Sequence, residues 1–148
     1  MDIKIIDKDI CKDAYMDINR CANRLYNEYK EYGNLIIAYD FDDTVYSEFG
    51  NTEHDQMIEL LQICNKLGFE LIVYTCRPEE EWEFVREYLS KNNIPFSKIN
   101  DESNSTTFPK SRQKIFYNIF FDDRAGLKSA YESLVGCISL ILEERGDL

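Results

Sequence analysis

The chain has 148 residues, 44% of them hydrophobic and 14% aromatic, with 28 acids against 17 Lys and Arg for a net charge of −11. That length suits one domain around one core, and that apolar content argues against disorder. The acidic balance repels nucleic acid at long range; it leaves room for a small phosphorylated substrate only where a metal and a few cations focus charge locally.

Residues 9 to 32 set Tyr15, Ile18, Ala22, Leu25, Tyr29 and Tyr32 at helical spacing on one stripe, and Gly33 stops the helix. A continuous stripe predicts that this helix packs on the sheet. Residues 34 to 41 form a nearly unbroken apolar run, the pattern of a central parallel strand. Residues 45 to 51 read as a loop. Thr52 with Asp55 resembles a capping box, opening a helix with Met57, Leu60, Leu61, Cys64 and Leu67 inward and Gly68 at its end. Glu70 to Thr75 is a second strand. Pro78 with Glu79, Glu80 and Glu81 suits a first helical turn, where acids meet the helix dipole, and Trp82, Val85 and Leu89 form the inner face.

A short third strand is expected from Pro95 to Ile99, a polar loop over 100 to 113, and a fourth strand from Ile115 to Phe121 ending in Asp122-Asp123. The last helix turns Leu127, Ala130, Tyr131, Leu134, Ile138 and Ile141 inward. Gly136 weakens the case for one unbroken helix, and the run Cys137 to Leu142 also fits a short final strand. Strands alternating with helices predict an α/β fold, a doubly wound and mostly parallel sheet with helices on both faces. No linker divides the chain, so residues 1 to 148 read as a single domain. The stretch from Thr44 to Thr52 is too short for an inserted domain, so any cap is minimal.

Five cysteines, none spaced C-x-x-C, and a single histidine make a zinc site or a disulfide framework improbable on composition; most of the thiols read as core fillers of a reduced protein. No stretch approaches the roughly 20 apolar residues of a membrane span, and the N-terminus is too acidic for a signal peptide, so the expected location is the cytoplasm, away from membranes.

Three expected strand ends carry polar groups: Asp40, Asp42 and Thr44 on the first, Thr75 on the second, Asp122 and Asp123 on the fourth. In an open α/β sheet, ligands bind at the carboxyl ends of strands near a topological switch point. Several carboxylates at one buried edge repel each other, and a divalent metal is the natural offset.

The order of these segments resembles the haloacid dehalogenase-like (HAD) phosphohydrolase superfamily. Asp40-Phe41-Asp42-Asp43-Thr44 matches its first motif, a hydrophobic strand ending D-x-D-x-[TV]. Leu71 to Thr75 matches a second strand ending in Thr or Ser, and Phe120-Phe121-Asp122-Asp123 matches a last strand ending in two acids. The family's remaining motif is a Lys upstream of that strand, for which Lys114 is the first choice and Lys110 the alternative. The likeness covers residues 34 to 134, leaving the helix at 9 to 32 as an addition. Tyr74-Thr75-Cys76-Arg77 with Asp122-Asp123-Arg124-Ala125-Gly126 is similar to small phage and bacterial members without a large cap.

The resemblance implies a Rossmann-like sheet and Mg²⁺-dependent hydrolysis of a phosphomonoester, a nucleotide or another small phosphometabolite, through an aspartyl-phosphate. Asp40 would attack phosphorus, splitting one hard displacement into two easier ones. Asp42 would protonate the leaving oxygen and then activate water. Mg²⁺ would sit on Asp40, the backbone carbonyl of Asp42 and Asp122, with Asp123 supporting the metal site through water or through a contact to the ligands. Thr75 would donate its hydroxyl to a phosphate oxygen, and Lys114 would balance charge.

Blander roles compete for several positions. Asp123 fits an N-cap, Asp43 a solvated or capping acid, and His54 an exposed residue in a first helical turn. Arg77 fits a substrate contact or a surface salt bridge equally. Tyr46, Glu48 and Phe49 lie where the family carries a flap. A phosphatase acting on nucleic-acid ends is permitted by an open site and disfavoured by the charge; a silent binding or regulatory module is the non-enzymatic reading. Monomer and homodimer are both compatible with the sequence.

Overall fold

Four short strands pair in parallel in the order β3-β2-β1-β4: β1 is Ile36–Tyr39, β2 Glu70–Val73, β3 Lys98–Ile99 and β4 Ile119–Phe121. Around them lie α1 (Ile18–Tyr32), α2 (Asp55–Lys66), α3 (Trp82–Lys91) and α4 (Leu127–Arg145). The computed structural model describes residues 13–49, 53–105, 108 and 114–147. All four β1 residues are buried, as the apolar run around them requires. Tyr39 stands opposite both Val73 and Phe121, so β1, β2 and β4 end at one level. The chain steps outward from β1 to β2 and β3, then returns to the far side of β1 as β4. That reversal puts the switch point between β1 and β4, where Asp40 and Asp122 follow their strands.

The pleat sends alternate residues to opposite faces. Ile37, Tyr39, Leu71, Val73, Ile99, Ile119 and Phe121 enter the main core, joined by Leu25 of α1, Leu61 of α2, Leu89 of α3 and Leu134 of α4. Ile36 and Ile72 on the other face pack with Phe108, Ile115, Phe116 and Tyr117. The parallel α/β architecture is the expected one, but among the described residues the second face is covered by the connection from β3 to β4 in place of a helix. Residues 115 to 117 belong to that cover, so β4 is shorter than its apolar run. Asn118 is the reason. Its side-chain oxygen accepts from Ile36 N at 2.6 Å and its own N–H donates to Ile36 O at 2.8 Å, so ladder pairing starts only after it.

The N-terminal helix docks chiefly on α4 and not on the sheet, with Leu25 reaching the main core, and two further corrections apply. Asp17 accepts from Asn19 N at 2.9 Å and caps α1, which begins at Ile18; residues 9 to 12 lie outside the described residues. Tyr15 and Tyr32 are 67% and 40% exposed, so the buried part of the stripe is Ala22 and Leu25 with Tyr29 beside them. Gly33 adopts φ +73° and closes the helix through its N–H to Tyr29 O at 2.7 Å. Gly136 does not break α4. A Cβ there would lie 2.9 Å from Cβ of Ala22, so glycine permits the close approach of α1 and α4. Residues 137 to 142 are accordingly helical, and the alternative of a final strand fails. At α2 the N-cap is His54, without a side-chain cap bond; Thr52 of the expected capping box lies outside the described residues. No helix among the described residues is long and apolar enough to cross a membrane.

Candidate active site

The backbone beyond β1 folds back at once. Phe41 O accepts from Thr44 N, Val45 N and Tyr46 N, and Asp43 N donates to Tyr46 O at 2.9 Å. Asp43 takes φ +59°, a left-handed conformation that Asp tolerates better than most side chains. The turn is held from below by Phe41, fully buried and stacked on Tyr46 at 4.9 Å between ring centres. Phe49, farther along this loop, is 89% exposed. Asp43 is therefore a turn residue at the rim of the cleft.

Asp40, half-buried at the end of β1, donates its N–H to Phe121 O at 2.8 Å, which fastens it to the strand that delivers Asp122. One carboxylate oxygen each from Asp40, Asp122 and Asp123 lies within 4.8 Å of the others. Burial, then the charge of Asp122, then the neighbouring Asp123 push the Asp40 carboxyl up from 3.8 to about 7, against a lowering hydrogen bond from the Phe41 backbone. Thr44, fully buried, bridges the two acid segments: its hydroxyl approaches Asp40 Oδ2 at 3.5 Å and accepts from Asp123 N at 3.2 Å. Asp122 closes its own turn by accepting from Arg124 N at 3.0 Å. Asp123 is not the N-cap of α4; that position is Gly126.

Asp42 takes a different partner. Both of its oxygens accept from Arg77, at 3.0 Å from Nε and 2.8 Å from NH2, the fork geometry that guanidinium and carboxylate share. Arg77 also reaches Glu81 at 3.3 Å, and its guanidinium carbon lies 5.3 to 5.4 Å from the ring centres of Phe41, Tyr46 and Phe84. The hydrogen bond that Arg77 donates to Asp42 comes first among the influences raising the Arg77 pKa. Of the two roles open to Arg77 in the sequence, the structure displays the salt bridge, made to Asp42 and Glu81.

Thr75, nearly buried, follows β2 at the same sheet edge and is clamped by Asn100: Thr75 N donates to Asn100 Oδ1 and Asn100 Nδ2 donates to Thr75 O, each at 2.7 Å. Asn100 adopts φ +50° to do so. The Thr75 hydroxyl accepts from Arg77 N at 3.1 Å, which retains its own proton for donation.

The resulting cleft, about 310 Å³, is lined by Asp40, Asp42, Asp43, Cys76, Asp122, Asp123 and Arg124. The structure thus brings together four of the expected residues, Asp40, Asp42, Asp122 and Asp123, and places Thr75 beside them without lining the cleft. Lys114 is not among the lining residues; its ammonium lies 6.0 Å from the ring centre of Tyr117. Lys110 lies outside the described residues. The cation lining the cleft is Arg124.

One solved structure, described as that of the conserved protein coded by a locus from Bacteroides thetaiotaomicron, is similar to this chain with a TM-score of 0.53 and 23% identity, covering 76% of this chain and 92% of that one. At that identity the likeness concerns the fold. No protein-family model matches the chain, and no curated protein matches it.

Thr44 and Asn100 acquire roles that the sequence left unassigned, and Arg77 takes one of its two expected roles, an ion pair, with Asp42 as the partner the sequence did not name. Thr44 ended the first motif and carried that much signal. Arg77 had a signal only in its position two residues past Thr75. Asn100, in a polar loop, had none. Cys76 also reaches the cleft, whereas Cys64 and Cys137 are the core fillers expected, their thiols pushed up to about 12 mainly by burial.

Proposed function

We propose that the chain is a haloacid dehalogenase-like phosphatase, hydrolysing a phosphomonoester through an aspartyl-phosphate on Asp40. The observation that carries this reading is the Asp40–Asp122–Asp123 cluster at the switch point, where burial first and the charges of Asp122 and Asp123 next raise the Asp40 carboxyl to about 7. Such a cluster wants a cation. Its donors are all carboxylate oxygens, which suits Mg²⁺ and disfavours zinc. Asp40, Asp122 and the backbone carbonyl of Asp42 would hold the ion, with Asp123 as a further ligand or a support through water. Bound there, Mg²⁺ would supply neutralising charge for an incoming phosphate.

The protein groups divide the work. Asp40 Oδ attacks phosphorus as the bond from phosphorus to the alcohol oxygen breaks, and a proton from Asp42 goes to that oxygen. Water then attacks the aspartyl-phosphate, its proton passes to Asp42, and Asp40 is released with inorganic phosphate. Both Asp42 oxygens are occupied by Arg77 in the structure, so the proton-transfer role requires that pair to part during the cycle. Thr75 can donate its hydroxyl to a phosphate oxygen. The free thiols at Cys21, Cys64, Cys76 and Cys137 suit a reducing compartment such as the cytoplasm.

The test is phosphate release from p-nitrophenyl phosphate and from a panel of nucleotides, phosphometabolites and 5′- and 3′-phosphorylated oligonucleotides, with Mg²⁺. Activity with wild type and none with Asp40→Asn is the expected result. Inert wild type across the panel with Mg²⁺, Mn²⁺ and Co²⁺ would favour a binding module, and activity confined to oligonucleotides would move the substrate to nucleic-acid ends.

A further inference from the structure

Acids outnumber cations in the lining of the cleft: Asp40, Asp42, Asp43, Asp122 and Asp123 share it with Arg124 alone. A phosphomonoester brings further negative charge into this space, and a divalent ion offsets only part of the total. Arg77 is already committed, because its guanidinium is held by both oxygens of Asp42 and by Glu81. Lys114, the cation expected to balance the phosphate, lies against the ring of Tyr117 and not in the lining. Among the described residues, the positive charge on hand for an incoming anion is therefore Arg124.

Arg124 also differs from the other arginines in being free. Arg20, Arg24, Arg77 and Arg86 form ion pairs, and Arg145 bonds the Tyr29 hydroxyl. The Arg124 side chain has no such partner among the described residues, although Asp122 and Asp123 precede it directly. Its backbone N–H is the group that Asp122 uses, donated to Oδ1 at 3.0 Å, and Ala125 N closes the same turn on Asp122 O at 3.0 Å. The turn fixes the residue at the cleft and leaves its side chain exposed. A guanidinium presents five N–H donors in a rigid fork that matches two oxygens of a phosphate. Once a cation occupies the carboxylates, the anion that remains for this fork is the one entering the cleft.

We propose that Arg124 is the phosphate-binding cation of this cleft, its guanidinium donating to two non-bridging oxygens of the phosphoryl group in the place expected of Lys114. This rests on the phosphatase reading for the transfer that follows, but not for the anion site. Those oxygens stay charged while the phosphoryl group passes to Asp40, so Arg124 acts on binding and on the bond-breaking step together.

Inorganic phosphate with Mg²⁺ is titrated by calorimetry into the full chain and into Arg124→Gln, Lys114→Gln and Lys110→Gln. Arg124→Gln should bind phosphate about ten- to hundredfold more weakly, the loss of one charge-assisted contact, while both lysine variants bind as wild type does. Because Arg124 is exposed, its variants should keep the wild-type Tm. In parallel, Arg124→Ala should lose a similar factor in kcat/KM for p-nitrophenyl phosphate. Millimolar guanidinium should restore part of that loss, and sodium chloride at equal ionic strength should not, a rescue that a merely structural role does not give. Unchanged phosphate affinity in Arg124→Gln overturns the proposal, whether or not the protein hydrolyses phosphoesters, and so does a wild type that binds no phosphate at tens of millimolar. A loss in either lysine variant as large as that in Arg124→Gln moves the role to that lysine and overturns it too. Phosphate binding that depends on Arg124 in a protein without activity supports the anion site and overturns the phosphatase reading. Hydrolysis by Arg124→Ala at the wild-type rate overturns the role of Arg124 and spares the phosphatase.

Discussion

Replacing Asp40 by Asn should stabilise the metal-free protein, and only above acidic pH. The carboxyl of Asp40 ordinarily ionises at 3.8 and is pushed up to about 7 in the fold by burial and by Asp122 and Asp123. Because its folded pKa is the higher one, the favourable contribution is fully present below about 4 and is lost as pH rises through about 7. A shift of three units would be worth roughly 4 kcal/mol at about 1.36 kcal/mol each. Asp40 is only half-buried, so solvent screening cuts this to about 1–2 kcal/mol. For a chain of this size that corresponds to about 2–8 °C in Tm. Thermal unfolding in EDTA should therefore show Asp40→Asn above wild type by several degrees at pH 8 and level with it at pH 4. Addition of Mg²⁺ at pH 8 should then raise wild type and leave Asp40→Asn nearly unmoved. Equal melting of the two proteins in EDTA at pH 8 would refute the claim that the cluster stores uncompensated charge.

Arg77→Lys, whose one ammonium cannot bridge both oxygens of Asp42 as the guanidinium does, should loosen the pair that has to part for proton transfer and leave kcat equal to or above wild type with little change in KM; a tenfold loss of kcat would contradict that reading. Asn100→Gly keeps the left-handed backbone but removes both bonds to Thr75, and should cost about 1–3 kcal/mol by denaturant unfolding. Gly136→Ala should destabilise by about 1–3 kcal/mol despite alanine's better helix propensity, because its Cβ meets Ala22 at 2.9 Å. Adding Ala22→Gly should restore much of the loss, and a simple gain in stability from Gly136→Ala alone would contradict the close docking of α1 on α4.

Much of the site was legible because its determinants are local. A strand buried on both faces leaves an apolar run that few other structures produce, so the acids after Tyr39 and Phe121 stood out against it. The order of the strands then brought Asp40 and Asp122 to one edge. What the sequence hid is tertiary. Asn118 ends a run that looks uniformly apolar and shortens β4, yet its effect depends on meeting Ile36 across the sheet. The partnership of Arg77 with Asp42 spans 35 positions and needs the aromatic bed of Phe41, Tyr46 and Phe84 to hold the guanidinium in place. Gly136 read as a helix breaker because its value lies in a neighbour, Ala22, that no local pattern names. The lysine fared worst, since position in a polar stretch before a strand says little about which cleft a flexible side chain reaches.

The central claim is that Asp40 carries the phosphoryl group. Protein mixed with a radiolabelled phosphomonoester and Mg²⁺, quenched in acid within milliseconds and digested, should yield label on the peptide containing Asp40, removable by hydroxylamine as an acyl phosphate requires. Asp40→Asn should carry none. Steady release of phosphate by an enzyme that never acquires label, or label that persists in Asp40→Asn, would contradict it.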